Sequence, residues 1–264
     1  MTQIESIPMW KWFKETFTGP MIIFIGKRIV DPKFTKSPII IGGCARSGTT
    51  LLLAILSANP YILAIPKETD SFTMWNRRKN KLYPVRLDRF YRKFLTFSVP
   101  KITTRWVEKR PDNVYFISEI LNYYGADSRF IHILRDPRAV CCSIHPSVPG
   151  DYWVEPERWV KAVTAGLKFK DHPQVLTLRY EDLIMNNEQA IRSICNFINE
   201  VYTDQMKNWE KFVTIKNSTA WKKPFNAIQT DKIYLWKHPK HQDRLEYILK
   251  NQELIKLMTE LGYY

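Results

Sequence analysis

The chain has 264 residues, 45% of them hydrophobic and 25% charged, a composition that excludes a largely disordered polypeptide and fits one large globular domain. Forty Lys and Arg against 26 Asp and Glu leave a net charge of +14, so the surface attracts anions such as nucleic acid, phospholipid, acidic glycan or a phosphorylated small molecule. Four cysteines, two of them adjacent at Cys141 and Cys142, do not form a disulfide framework in a chain of this length and point to reduced thiols in a cytoplasmic setting.

Residues 1–37 read as an N-terminal arm. Its apolar run 21–25 is too short for a signal-peptide core or a membrane span. Met9-Trp10-Lys11-Trp12-Phe13-Lys14 suits either a peripheral membrane contact or packing on the domain. From Pro38 onward, short apolar runs alternate with helical periodicity through residues 38–264. This predicts a single α/β domain of three layers, a central parallel sheet with helices on both faces. Ile39-Ile40-Ile41 reads as a buried first strand, Gly42-Gly43 opens a loop, and residues 49–57 form a helix. A basic insert follows at about 70–110, expected to be helical in part. Residues 76–110 alone hold twelve basic side chains against Asp88 and Glu108. Further helices are predicted over 113–124, 156–168, 187–198 and 244–261, and strands over 130–134 and 175–178.

The loop Gly43-Cys44-Ala45-Arg46-Ser47-Gly48-Thr49-Thr50 has the glycine spacing with which backbone N–H groups and a helix N-terminus converge on phosphate. A nucleoside triphosphatase needs Gly-Lys-Ser/Thr here, but Thr49 stands where that Lys belongs. The cation lies inside the loop, at Arg46, with Ser47, Thr49 and Thr50 as hydroxyl donors. A triphosphate enzyme is therefore the weaker reading.

These residues resemble the sulfotransferases that use 3′-phosphoadenosine 5′-phosphosulfate (PAPS), a family with a P-loop-like fold. Arg46-Ser47-Gly48-Thr49-Thr50, followed by a Leu-rich helix and Asn59-Pro60, resembles the 5′-phosphosulfate loop of the tyrosylprotein, carbohydrate and bacterial branch. Arg135, with Ser143 eight residues on, resembles the pair that holds the 3′-phosphate. Glu68 stands where the family places its catalytic carboxylate, and Lys109, two residues before Pro111, resembles the Lys that steadies the transferring sulfuryl group. Tyr180 matches a contact to the adenosine side. Ser218 matches a transition-state contact in a late donor-covering loop, with Lys223 and Lys232 as phosphate-binding lysines.

The resemblance implies an enzyme that transfers a sulfuryl group in line from PAPS to an acceptor hydroxyl, releasing 3′-phosphoadenosine 5′-phosphate (PAP) without a metal. Glu68 would be the base, and Arg46, Lys109 and Ser218 would stabilise the shifting charge. The chain departs from the pattern at Ser147, where some members carry a second Arg, and by one residue in the 46–68 and 218–224 spacings. The cations over 77–105 favour an anionic acceptor, an acidic glycan or a peptide; a tyrosyl or small-molecule alcohol acceptor is the alternative. From another class comes a non-catalytic basic module that docks on nucleic acid or an anionic membrane through Arg77 to Arg110, where Tyr83, Phe90, Tyr91, Phe94 and Trp106 interleave with the cations, with nucleic acid the less favoured partner. His238 and His241 lack a third metal ligand in sequence, and His132 reads as core.

Overall fold

A computed structural model of the chain describes residues 18–78, 81–145, 148–215 and 230–263. Ile39 to Ile41 show no polar alternation, the pattern of a strand buried on both faces, and β1 (Ile39–Gly43) is buried throughout. It is the middle strand of a five-stranded parallel sheet whose order is β2 (Ile62–Ala64), β5 (Arg105–Lys109), β1, β6 (Arg129–Leu134), β7 (Val175–Arg179). Ile41 pairs with Lys109 on one side and with Ile131 on the other. The ends of β5, β1 and β6 therefore lie side by side at the carboxyl edge, where ligands of open α/β sheets bind.

The helices, in chain order, are α1 (Gly19–Ile29), α2 (Thr49–Ser57), α3 (Leu87–Phe94), α4 (Ile117–Tyr124), α5 (Pro137–Cys141), α6 (Pro156–Leu167), α7 (Tyr180–Met185), α8 (Asn187–Ile198), α9 (Asp204–Lys207), α10 (Trp209–Phe212), α11 (Gln242–Ile248) and α12 (Gln252–Glu260). The period-2 pleat sorts the sheet residues between two cores. Ile39, Ile41, Val107, Ile131 and Ile133 cluster with α2 and α8 on one face; Ile40, Trp106 and Phe130 cluster with α3, α4, α6 and α12 on the other. The three expected layers are present.

The basic insert differs from its expected form. It is helical only over α3; before that helix lies an antiparallel hairpin of β3 (Trp75–Arg78) and β4 (Lys81–Pro84), and the segment ends in β5, a strand of the main sheet. Arg105, counted among the cations available to a ligand, is buried and holds the Ser37 and Ile198 carbonyls, with Glu200 3.5 Å away. Arg86 and Arg92 pair with Asp88, and Arg89 with Asp70. Phe90, Tyr91, Phe94 and Trp106 are buried, packed with Phe72 and Tyr124, and so offer no face to a base. The predicted helix 113–124 begins as a 3-10 turn, Pro111–Phe116, before α4, and 244–261 is broken between α11 and α12.

Gly166 of α6 gives the ring of His132 its space: a Cβ there would lie 2.2 Å from His132 Cε1. His132 is fully buried, both ring nitrogens lack a partner, and burial pushes its pKa down to about 4. All four cysteines are buried and unpaired. No helix among the described residues is long and apolar enough to cross a membrane.

Candidate active site

Between β1 and α2 the chain turns through residues 44–48. Arg46 has φ of 68° and Gly48 of 97°, both left-handed, and the turn delivers the N-terminus of α2 to the carboxyl edge. Only glycine fits at position 48, since a Cβ would lie 2.3 Å from the Tyr180 ring. Gly48 caps α2 without a side chain, so the first N–H groups of that helix receive no capping oxygen from it, and Thr49 and Thr50 lie buried in its first turn. The Ser47 hydroxyl is buried without a partner, as is Nε of Arg46. Donors without acceptors converge here, a composition that fits an anion.

Arg135 leaves the end of β6 and binds this turn. Its Nη1 donates to the Arg46 carbonyl at 2.8 Å and its Nη2 to the Lys232 carbonyl, while its guanidinium stacks on the Tyr180 ring with 4.2 Å to the centroid. Nε of Arg135 is buried and unpaired. Among the described residues no carboxylate lies within ion-pair distance of either Arg46 or Arg135. Burial lowers the pKa of both, and for Arg46 the like charge of Arg135 adds to it. Two desolvated cations side by side are unfavourable in isolation, and a bound polyanion would relieve both.

The structure thus brings Arg46, Ser47, Gly48, Arg135 and Tyr180 together. Lys232 joins through its backbone; its own ammonium is half-exposed, 3.9 Å from Asp231. Ser143 is buried, one short helix after Arg135, and its hydroxyl donates to the Ala139 carbonyl at 2.8 Å, so it must turn to donate to a ligand. Ser218 and Lys223 lie outside the described residues.

The second half of the site is next to β1 on the other side. Lys109 ends β5 with its ammonium 2.6 Å from Oε1 of Glu68, which follows β2; Nη1 of Arg110 lies 3.7 Å from the other carboxylate oxygen. Arg110 also pairs with Asp70 and Asp112. Neighbouring strands in a sheet are about 4.8 Å apart, so the ends of β5 and β6 lie roughly 10 Å apart with the turn between them. A carboxylate and ammonium on one side and a cationic phosphate cradle on the other can serve a reaction in which a proton leaves one reactant as negative charge gathers on a second.

One residue of this half escaped the sequence reading. Glu108 is 1% exposed, accepts a 2.8 Å bond from Asn113 Nδ2, and has its pKa pushed up to about 7 by burial, against the pull of Asn113, Thr69 and Lys109. Asn113 five residues later was its only sequence signal.

Glu108 and His132 oppose each other in acid. His132 stays neutral in the fold but takes a proton once unfolded, so its contribution to stability is lost as pH falls from about 6.5 to 4. Glu108 keeps its proton in the fold where the unfolded chain has released it, so its contribution is lost as pH rises from about 4.5 to 7. The thermal midpoint of the unmodified chain should vary little across that window. His132→Leu should make it fall with rising pH and Glu108→Gln should make it fall with lowering pH, both checked by calorimetric melting. Parallel profiles for the three proteins would contradict the assignment.

A sequence model of the sulfotransferase family matches residues 76–204. A Caenorhabditis briggsae relative named "Putative protein-tyrosine sulfotransferase" is 26% identical, with 85% of this chain and 88% of the relative covered. Both similarities are to sulfotransferases. In fold the chain is similar to the sulfotransferase domain from the curacin biosynthetic pathway, at 18% identity, TM-score 0.63 and coverage of 88% and 99% of the two chains. The sulfotransferase domain of the Synechococcus PCC 7002 olefin synthase gives 17% identity, TM-score 0.61 and coverage of 88% and 96%. The family match begins after the 44–48 turn, so anion binding by Arg46 to Thr50 is supported by the turn's own geometry. Among the described residues, no group of three His, Cys, Asp or Glu is placed to hold a metal.

Proposed function

We propose that the chain transfers a sulfuryl group from PAPS to an acceptor hydroxyl. The observation that carries the reading is the pair of buried guanidiniums, Arg46 and Arg135, that meet at the α2 N-terminus with no carboxylate within ion-pair distance among the described residues. A donor with phosphates at both its 5′ and 3′ positions supplies the missing negative charge. In the step itself the acceptor oxygen bonds to sulfur as its proton passes to Glu68. The sulfur–oxygen bond to the 5′-phosphate breaks with its electron pair leaving on PAP, and Lys109 and Arg46 meet the charge on the sulfuryl oxygens and the departing phosphate.

The acceptor is a hydroxyl on an anionic molecule, an acidic glycan or a peptide with its tyrosine among acids. Support comes from Arg77 and Lys81, exposed on the β3–β4 hairpin and in no ion pair among the described residues. The C. briggsae relative's name favours the peptide. Titration calorimetry with PAP should give saturable binding in the micromolar range, and no heat at millimolar PAP would overturn the reading. With labelled donor, acidic glycans and tyrosyl peptides should outperform neutral alcohols and phenols; the reverse order would discard the anionic acceptor.

A further inference from the structure

The pleat sends the last two side chains of β5 to opposite faces of the sheet, yet both reach the same loop. Lys109 meets Glu68 at 2.6 Å. Glu108 faces the backbone N–H and the hydroxyl of Thr69, in longer contacts of 3.5 and 3.4 Å, while Asn113 Nδ2 holds its second oxygen at 2.8 Å and also bonds the Ile41 carbonyl at 3.2 Å. Consecutive residues of the strand therefore grip consecutive residues of the loop, and Asn113 ties that grip to β1. An apolar side chain at position 108 would fill the space without the desolvation cost that a buried carboxyl carries. It would leave the loop held by the ion pairs of Glu68 and Asp70 with Lys109, Arg110 and Arg89, and nothing would hold Thr69 from the strand.

Building on the reading of Glu68 as the base, we propose that Glu108 is a positioning residue: it anchors Thr69 and thereby sets where the Glu68 carboxylate stands relative to Lys109. Five groups face or feel Glu108: Lys109, Glu68, Thr69, Asn113 and the buried phenol of Tyr124. A charged Glu108 repels the Glu68 carboxylate and attracts Lys109, so its ionisation bears on how the pair beside it stands. The role therefore has a pH signature that simple packing lacks.

Glu108→Gln keeps the shape of the protonated carboxyl and removes the charge. With saturating donor, its kcat should fall about tenfold near pH 8 and approach the unmodified value below about pH 6, while PAP affinity by calorimetry stays within about twofold. A drop of equal size at every pH reflects structure alone and overturns the role, as does a profile superimposable on the unmodified one. Should Glu108→Gln fail to fold, the hydroxyl of Thr69 carries the test: Thr69→Val should lose several-fold in kcat and Thr69→Ser should restore it, and equal activity of the two would overturn the proposal. Glu68→Gln, run in parallel, separates the two readings. If it remains active the base assignment fails and this role with it; if it is inactive while Glu108→Gln matches the unmodified enzyme, only the positioning role fails.

Discussion

Arg135→Ala is expected to abolish PAP binding, weakening it by about a hundredfold or more, while moving the thermal midpoint by no more than a few degrees. Hydrogen bonds from a charged donor contribute on the order of 1.5–3 kcal/mol each, so losing two from this guanidinium to a phosphate corresponds to roughly 3–6 kcal/mol of affinity. The loss extends beyond direct contacts. Nη1 of Arg135 holds the Arg46 carbonyl at 2.8 Å and Nη2 holds that of Lys232, so the substitution also detaches the 44–48 turn from the 230–232 segment. For stability the contributions oppose each other: two carbonyls lose a donor, which costs about 1–3 kcal/mol each, but a desolvated cation, only partly offset by the charges of Glu181 and Asp136, is removed. Arg135→Lys keeps the charge and loses the planar fork that serves both carbonyls and the Tyr180 face, so it should recover only a small part of the affinity. Calorimetry and melting on the same samples check both halves. Binding within threefold of the unmodified chain would remove Arg135 from the donor site.

The contrast between Arg135 and Arg105 explains how much of the molecule its sequence disclosed. Both are arginines beside apolar residues of a parallel strand, but Arg135 follows β6 at the carboxyl edge and Arg105 begins β5 at the opposite edge, where it binds Ser37 and Ile198 carbonyls. Strand polarity decides which of them can meet a ligand, and local composition does not report it. The strands β1, β6 and β7 were legible because their residues are apolar in runs; Arg105-Trp106-Val107-Glu108-Lys109 has charged residues at three of five positions and read as part of a basic insert. Those charges are accommodated at the two ends of the strand, where Arg105 reaches carbonyls, Glu108 reaches Asn113 and Lys109 reaches Glu68. Likewise the turn over 44–48 was legible from its glycines, whereas the Glu68 to Asp70 loop acquires its ion pairs from β5 and from Arg110, about forty residues away. Nor does a sum of charges predict a binding face. Arg86, Arg92 and Arg89 answer Asp88 and Asp70, while Arg77, Lys81 and Lys101 of the same segment are exposed and in no ion pair among the described residues.

The other large effect is expected at Glu68. Its partner Lys109 has a side chain only 6% exposed, against 39% for Glu68, so the ammonium is fixed by its surroundings and the carboxylate is the member free to turn toward an acceptor. The 2.6 Å pair has to open for the carboxylate to meet an acceptor hydroxyl, and in the proposed reaction it opens as the ammonium is drawn to the sulfuryl oxygens. Glu68→Gln should therefore lower kcat by about a hundredfold to ten-thousandfold, the usual range for loss of a general base, with PAP affinity unchanged within about threefold. Lys109→Met should lower kcat by a similar factor, because the charge on the transferring group then lacks its nearest cation. If the two act as one unit, the double variant Glu68→Gln/Lys109→Met should be hardly worse than either single variant rather than the product of both losses. Single-turnover transfer with labelled donor measures all three. A Glu68→Gln variant retaining a tenth or more of kcat would transfer the base role to another group, and multiplicative losses would mean that the 2.6 Å pair does not operate as a couple during the reaction.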